Sequence, residues 1–386
     1  MTDKLLPLYR DQFLLDPNVI FLNHGSFGAC PRPVFEVYQR WQRELENQPV
    51  EFLGRRAHSL LFEARQSLGG FIGTHEDNLI FTPNATTAIN IVARSMQLGD
   101  QDEVLASDHE YGAMDRTWRF LARKHGFRYI NQPVAVPVRS SEEMIEQLWS
   151  GVTERTRILF LSHITSPTAL TFPVREICQR ARECGILTII DGAHCIGQMD
   201  LDLDSLGADF YTSNAHKWLC ASKGSAFLYA RPALQHLVEP LIVSWGYESE
   251  APSDSPFQDL FDWIGTCDIS AYLSIPAAIE FQTRYHWSEV RAACHHLASK
   301  LRHQLQNQVG LHPIYPDSDL FYSQMMSMQL PKDTDLEALK STLYDRYHIE
   351  IPLIAWNDLK LLRFSIQAYN SPADGLALVE ALFHEL

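Results

Sequence analysis

A carboxylate and an amine in two short motifs of this chain have the types and spacing to act on one ligand. The first motif is Asp191-Gly192-Ala193-His194, and Lys217 follows its histidine by 23 residues. Each side chain comes soon after a largely apolar segment, residues 186–190 and 208–211, typical of a buried parallel strand. Because open α/β sheets carry their chemistry beyond the carboxyl ends of the strands, we expect Asp191 and Lys217 to meet there.

Such a pair suits pyridoxal phosphate (PLP). The amine of Lys217 would form the Schiff base and later carry the Cα proton, while the carboxylate of Asp191 keeps the pyridine nitrogen protonated. The alternatives are an exposed lysine at a strand end and an aspartate that only caps a helix beginning near Ala193. The strand directly before Asp191 favours the cofactor role, because an N-cap does not require one.

Four motifs resemble the class V aminotransferase family of fold type I PLP-dependent enzymes. They are Leu22-Asn23-His24-Gly25-Ser26-Phe27-Gly28, Asp191-Gly192-Ala193-His194, His216-Lys217-Trp218 and Arg363-Phe364-Ser365-Ile366-Gln367-Ala368-Tyr369-Asn370. In this order and at these spacings they most resemble the isopenicillin N epimerase-like branch. The resemblance implies an α/β fold type I PLP-dependent transferase fold, in which a large domain with a mostly parallel seven-stranded sheet is joined to a smaller α+β domain.

The resemblance also implies which side chains surround the cofactor ring. His109, just after a predicted strand at residues 103–106, corresponds to an imidazole that stacks on the ring and contacts an intermediate. Ser166 falls where relatives place a side chain near the ring oxygen. His194, three residues after Asp191, is a candidate donor to the same oxygen. A lone histidine such as His109 is otherwise most often a residue with structural hydrogen bonds.

A phosphate site is predicted at residues 83–87, directly before an amphipathic segment. Backbone N–H groups at a helix start and nearby hydroxyls bind phosphate, so Thr86 is the first candidate and Thr87 the second. The alternative is a threonine that only caps the helix. By resemblance, Asn214 and His216 also belong to the phosphate site.

Arginine side chains are the candidates for holding the substrate. Arg363 begins a predicted strand, and its planar guanidinium matches an α-carboxylate in geometry and charge. Asn23, Arg55 and Arg56 are candidates for other parts of the substrate. The alternative for Arg363 is a solvated strand start, and the alternative for Arg56 is a solvated helix face.

Alternating apolar and amphipathic segments predict the elements that position these residues. Strands are predicted at 79–81, 103–106, 128–130, 158–161, 186–190, 210–212 and 225–229, and helices at 55–71, 86–96, 111–124, 141–149 and 174–183. Residues 248–257 are expected to form a loop. After residue 276 a long amphipathic segment precedes strands at 323–329 and 361–367 around a helix at 336–347. We therefore expect a large domain over 20–270 and a small domain formed by 1–19 and 271–386.

Composition and motifs limit the partners. The chain has 32 Lys and Arg against 47 Asp and Glu, a net charge of −15, which disfavours nonspecific binding to nucleic acid or membrane. Residues 1–7 lack a secretory signal core, and no stretch is long and apolar enough to span a bilayer, which predicts a cytoplasmic protein. The seven cysteines are scattered along the chain, which predicts reduced thiols and no zinc site.

Thr266 resembles a residue that such enzymes lend to the phosphate of the neighbouring subunit, which implies a homodimer with a shared active site. The alternative for Thr266 is a turn residue.

The motifs leave several reactions open. The resemblance favours epimerase or racemase chemistry at Cα of an amino acid, with a carbon–sulfur lyase that performs β-elimination and an aminotransferase as alternatives. Desulfuration by a late cysteine is disfavoured, because residues 295–386 contain no cysteine. A noncatalytic protein of this fold is disfavoured by the presence of Lys217 and Asp191. A nucleotide enzyme is disfavoured because neither glycine-rich fingerprint occurs.

Overall fold

The computed structural model describes residues 9–386. The predicted N-terminal segment of the small domain, residues 1–19, therefore lies partly outside the described residues. Residues 1–7, for which the sequence predicts no secretory signal, lie wholly outside them. The strands are β1 Ile20–Phe21, β2 Leu79–Thr82, β3 Glu103–Ser107, β4 Arg128–Gln132, β5 Thr156–Ser162, β6 Leu187–Asp191, β7 Phe210–Ser213, β8 Ala226–Ala230, β9 His312–Pro313, β10 Met325–Gln329, β11 Ile349–Glu350, β12 Leu353–Trp356 and β13 Leu359–Ser365.

Helices alternate with these strands. They are α1 His24–Phe27, α2 Arg32–Asn47, α3 Pro49–Glu51, α4 Ala57–Ile72, α5 Ala85–Ser95, α6 Gly112–His125, α7 Ser141–Trp149, α8 Val174–Glu183, α9 Leu203–Leu206, α10 Pro256–Asp262, α11 Ser270–Leu273, α12 Ile275–Arg284, α13 Trp287–Gln304, α14 Leu336–Tyr347 and α15 Pro372–Glu385. None of the helices between residues 9 and 386 has the length and apolarity that crossing a membrane requires.

The seven predicted strands of the larger part of the chain form one sheet in the order β2-β8-β7-β6-β5-β3-β4. Strand β8 runs antiparallel to both of its neighbours, and the other pairings are parallel. The predicted mostly parallel seven-stranded sheet is therefore confirmed. Successive residues of β6 lie in different core clusters, Ile189 on one face and Ile190 on the other. Helices cover both faces, which explains why these strands are apolar without alternation.

A second sheet, in the order β12-β13-β10-β9, is antiparallel. Two of its strands and the helix α14 lie where the sequence predicts them, whereas β12 was not predicted. The N-terminal strand β1 pairs with β11, which brings residues 20–21 beside residues 349–350. Gly25 N–H donates to Ser365 Oγ, which joins α1 to the end of β13. His24 at the start of α1 contacts the Lys217 carbonyl oxygen, which places α1 next to the carboxyl edge of the large sheet.

Candidate active site

The carboxyl edge of the large sheet forms one wall of a cavity of about 360 Å³. Its lining comes from the ends of β5, β6 and β7, the start of α5 and the helix α1. Among the residues predicted for the site, the cavity is lined by Thr86, Ser166, Asp191, His194, Asn214, His216 and Lys217. The structure therefore brings the central carboxylate and amine together.

Asp191 is the last residue of β6, in register with Ser162 on β5 and Thr212 on β7. Its Oδ1 accepts the N–H of Ala193 at 2.9 Å, and its Oδ2 has no hydrogen bond within residues 9–386. Burial raises the pKa of the Asp191 carboxyl, while the Ala193 N–H and Lys217 lower it. The carboxylate thus has an oxygen available to a ligand.

Lys217 lines the same cavity, and burial disfavours the charged form of its amine. Burial lowers the pKa of Lys217 to about 8, Asp191 acts to raise it, and Arg363 lowers it further. The Lys217 Nζ is 3.4 Å from His194 Nε2. At pH 7 roughly one-tenth of an amine with this pKa is unprotonated, far more than for an ordinary lysine, and this form can act as nucleophile or base.

The peptide group of Lys217 is held by the two terminal motifs. His24 Nε2 lies 3.0 Å from the Lys217 carbonyl oxygen, which only accepts, so this nitrogen donates. The other ring nitrogen, Nδ1, accepts from the Tyr369 hydroxyl at 2.9 Å. Burial lowers the pKa of His24 to about 3, so its ring is neutral. These two residues stand in motifs singled out by sequence, but their contact with Lys217 depends on the fold.

The start of α5 forms the end of the cavity predicted for phosphate. Asn84 Oδ1 accepts the N–H of Thr87 at 2.8 Å and its hydroxyl at 3.1 Å, while Asn214 Oδ1 accepts the N–H of Ala85 at 2.8 Å. Thr86 lies between them, lines the cavity, and has no acceptor for its N–H among the described residues. The second candidate, Thr87, does not line the cavity, and Asn84 accepts from both its N–H and its hydroxyl. Asn84 itself lines the cavity and was missed.

His216 faces the same part of the cavity. Its Nδ1 donates to the Ser225 carbonyl at 3.0 Å, which leaves Nε2 for a ligand. Burial, together with Lys217 and Lys223, lowers the pKa of His216 to about 4, against a rise caused by the hydrogen bond to Ser225.

Arg363 is buried beside the cavity without a carboxylate partner within residues 9–386. Its Nη1 donates to the carbonyl and hydroxyl of Ser166, and its Nη2 donates to the Ser26 hydroxyl at 3.2 Å. Its Nε is buried and has no partner in the described chain. Burial lowers the pKa of Arg363 to about 10. A buried guanidinium with a spare donor and no counterion is suited to an anionic ligand.

The structure does not place His109 on the cavity wall, and its predicted stacking on the cofactor ring stays a prediction. The His109 side chain is fully buried, its Nε2 donates to the Val134 carbonyl and its Nδ1 accepts from the Thr168 hydroxyl, both at 2.7 Å. Its ring packs on Trp356, with centroids 4.3 Å apart. Because β12 covers this histidine, it does not line the cavity. The aromatic residue that does so from the same segment is Tyr111, two positions later.

Three of the predicted substrate residues also lie outside the cavity. Asn23 donates to Glu350 at 2.9 Å and accepts from the Ser26 hydroxyl, so it orients a neighbour of Arg363. Arg55 is exposed. Arg56 pairs with Glu44 at 2.7 Å and with Glu51 at 3.4 Å.

Thr266 is exposed and does not line the cavity of its own chain. This position leaves its predicted role toward a neighbouring subunit as a prediction.

Residues 25–374 match the family model described as Aminotransferase class-V. The chain is 37% identical to isopenicillin N epimerase of Amycolatopsis lactamdurans over 97% of this chain and 96% of that protein. It is 28% identical to a probable chloroplastic L-cysteine desulfhydrase of Arabidopsis thaliana over 95% of this chain and 83% of that protein.

Solved structures share the fold. A structure of C-DES in which glycine is covalently linked to the PLP cofactor superposes with a TM-score of 0.85 at 21% identity, covering 98% of this chain and 99% of that chain. The cysteine desulfurase CsdA of Escherichia coli superposes with a TM-score of 0.81 at 21% identity, covering 98% and 97%. The predicted fold type I architecture is confirmed by these similarities.

Proposed function

The chain belongs to the class V aminotransferase family, and we propose that it uses PLP to act at Cα of an amino-acid substrate, with chemistry of the epimerase or racemase type. The observation that carries this proposal is the meeting of the Lys217 amine and the Asp191 carboxylate in one cavity of about 360 Å³. The most similar relative described above is an epimerase, which favours the same type of reaction.

The donor set of the cavity fits this cofactor. Asp191 Oδ2, which has no hydrogen bond among the described residues, suits a protonated pyridine nitrogen, and the Lys217 amine suits an aldehyde. At the other end, the N–H and hydroxyl of Thr86, with the side chains of Asn214 and His216, would hold the phosphate. When bound, PLP supplies an aromatic ring that accepts the electron pair left on Cα.

The residues of the chain then have distinct tasks. Arg363 would bind the α-carboxylate of the substrate, because its buried Nε lacks a partner in the described chain and its neighbours Ser26 and Ser166 line the cavity. Lys217 would remove the proton from Cα, since burial lowers the pKa of its amine to about 8. Return of a proton from the opposite side requires a second group, and Tyr111 on the cavity wall is our candidate.

A carbon–sulfur lyase is the second candidate function. The similarity to L-cysteine desulfhydrases favours it, and β-elimination requires only Lys217 and a substrate with a good leaving group. Transamination is a third outcome, in which the proton is delivered to the cofactor carbon instead of Cα.

We propose a homodimer as the assembled form. The segment 241–247 exposes five large apolar side chains, among which Trp245 is 83% exposed, an unusual arrangement for a monomer surface. Trp245 and Arg55 line the same surface groove, and Thr266 lies in the adjoining loop. A dimer formed through this face would cover the groove and could bring Thr266 to the partner.

We also propose a cytoplasmic location, which the seven unpaired cysteines support.

The cofactor assignment is tested on purified protein. Wild-type protein is expected to absorb visible light at the cofactor band, and borohydride should add the mass of the cofactor to the peptide containing Lys217. Lys217→Ala should lose the covalent adduct. If Lys217→Ala still carried the cofactor covalently, on another residue, the assignment of Lys217 would be overturned.

The reaction type is tested by incubating a panel of amino acids with the enzyme in heavy water. Exchange at Cα with inversion supports the epimerase, and we expect Tyr111→Phe to slow inversion at least tenfold while exchange by Lys217 persists. Release of pyruvate, ammonia and a thiol without inversion would establish the lyase instead. Accumulation of the pyridoxamine form of the cofactor would establish the aminotransferase.

A further inference from the structure

The position of the proton on His194 follows from its neighbour Trp218. The indole N–H of Trp218 lies 3.2 Å from His194 Nδ1. Indole nitrogen only donates, so His194 Nδ1 must be an unprotonated acceptor. Because burial, helped by Lys217, Arg363 and His24, lowers the pKa of His194 well below its ordinary value, the ring is neutral. The single proton of the neutral ring therefore lies on Nε2.

The nitrogen that carries this proton faces the amine. His194 Nε2 and Lys217 Nζ are 3.4 Å apart, at the upper limit of a hydrogen bond. If the Lys217 amine were protonated, one of its N–H groups would face the N–H of His194 Nε2. An unprotonated Lys217 amine instead offers its lone pair to that N–H. The contact therefore favours the form of Lys217 that can attack a carbonyl or accept a proton.

We propose that Trp218 is a positioning residue that fixes the tautomer of His194, so that His194 Nε2 donates toward the unprotonated amine of Lys217. The use of this donor in catalysis rests on the proposed function, whereas the tautomer itself depends only on the chain. Once Lys217 is engaged with a carbonyl group, the same N–H stays at the cavity wall as a donor to a ligand oxygen.

Both members of the pair are held in place. Trp218 is fully buried against the ring of His24, with centroids 4.7 Å apart, and its carbonyl accepts from Gln282 at 2.8 Å. The His194 carbonyl accepts from Gln198 at 2.6 Å. Gly197 has no room for a side chain, since a Cβ there would lie 2.3 Å from the Trp218 carbonyl oxygen. These contacts leave the indole and the imidazole little freedom to separate.

The tautomer is measured by nitrogen NMR on the full-length chain labelled with ¹⁵N-histidine, after any bound cofactor has been removed. A His194→Gln sample identifies the signals of His194. Wild type is expected to show an unprotonated Nδ1 and a protonated Nε2, and Trp218→Phe is expected to show both tautomers. The matched control is Trp118→Phe, because Trp118 is also fully buried but its Nε1 has no partner within residues 9–386.

The pH profile of Lys217 provides a second readout. Reductive methylation of Lys217 in the cofactor-free chain, followed by peptide mass spectrometry, reports its unprotonated fraction. Loss of one hydrogen bond should lower the rate at pH 7 about fivefold in Trp218→Phe and leave Trp118→Phe unchanged. Asp191 and Arg363, the charged groups that act on Lys217, are intact in both variants.

A wild-type spectrum with the proton on His194 Nδ1 would overturn the proposal, and this measurement needs no variant. An unaltered tautomer and pH profile in folded Trp218→Phe would also overturn it. Failure of the wild-type chain to bind PLP would contradict the proposed function but leave the tautomer result standing, so the two failures are distinguishable.

Discussion

A second buried carboxyl lies near Asp191 and does not line the cavity. Glu110 accepts the N–H of Ser162 at 2.8 Å and its hydroxyl at 2.6 Å, and contacts the Ser107 hydroxyl. Burial raises the pKa of Glu110 to about 8, with Asp191 acting in the same direction and the serine hydrogen bonds opposing it. Near neutral pH Glu110 therefore holds its proton, and its carboxyl adds no negative charge beside Asp191.

Glu110→Gln should change how stability depends on pH. The folded chain keeps the Glu110 proton up to about pH 8, whereas an unfolded chain releases it near 4.5, so this residue makes stability fall as pH rises between those values. Glutamine can keep its oxygen toward Ser162 and donate its amide to Ser107. The variant should gain stability relative to wild type across this range, by on the order of 4 kcal/mol at pH 8. Urea unfolding between pH 5 and pH 9 measures the difference.

The control is Glu103→Gln at the start of β3. Glu103 pairs with Arg128 at 2.7 Å, so its replacement should lower stability at pH 7. A constant difference between wild type and Glu110→Gln at all pH values would show that Glu110 is ionised in the folded chain.

At the scale of elements, the turn that ends α1 fits tightly against the segment that carries the lysine. Gly28 has φ +70° and ψ 169°, a conformation essentially restricted to glycine. A Cβ at this position would lie 2.1 Å from the His216 carbonyl oxygen and 2.8 Å from Lys217 Cα. The placement of the amine therefore depends on a backbone contact between α1 and the segment after β7.

Gly28→Ala is expected to destabilise the chain by roughly 2–4 kcal/mol and to weaken cofactor binding at least tenfold, because Lys217 must move. Denaturant unfolding and titration with PLP measure the two effects. Gly185→Ala is the matched control, since Gly185 has φ +68° but open space around it. It should lose only about 1 kcal/mol and bind the cofactor normally. If Gly28→Ala and Gly185→Ala lost the same stability and the same cofactor affinity, the close contact between Gly28 and Lys217 would not be needed to place the amine.

At the scale of the whole molecule, an apolar surface remains without a cover in the single chain. The segment 241–247 exposes Leu241, Ile242, Val243, Trp245 and Tyr247. The groove beside Trp245 measures about 570 Å³ and includes Arg55 and Asp262. Such a surface is typical of a subunit interface.

Trp245→Asp should convert a dimer to a monomer, because a carboxylate would have to be buried in an apolar interface. Light scattering during size-exclusion chromatography should give twice the chain mass for wild type and the single chain mass for the variant. Leu320→Asp is the control, since Leu320 is 66% exposed but lies outside the segment 241–247. A wild-type protein that is monomeric at micromolar concentration would contradict the proposed homodimer.

Local patterns were sufficient for most elements of the large sheet. Seven apolar segments predicted seven strands, and the helices α7, α8 and α14 have the predicted bounds. These elements are readable because a strand buried on both faces is continuously apolar and a helix has a periodic apolar side. Strand β12 was missed because only Trp356 among its four residues is buried, and its pairing with β13 comes from tertiary contacts.

The order of residue types along the chain determined the fold class, the carboxylate–amine pair and the end of the cavity where α5 begins. These features depend on short segments, whose burial and direction are encoded locally. Tertiary structure alone decided that His109 is covered by Trp356 while Tyr111 lines the cavity. It also decided that Trp218 sets the proton on His194 and that Arg363 lacks a counterion among the described residues. Such outcomes depend on which distant side chains pack together, and no local pattern specifies those contacts.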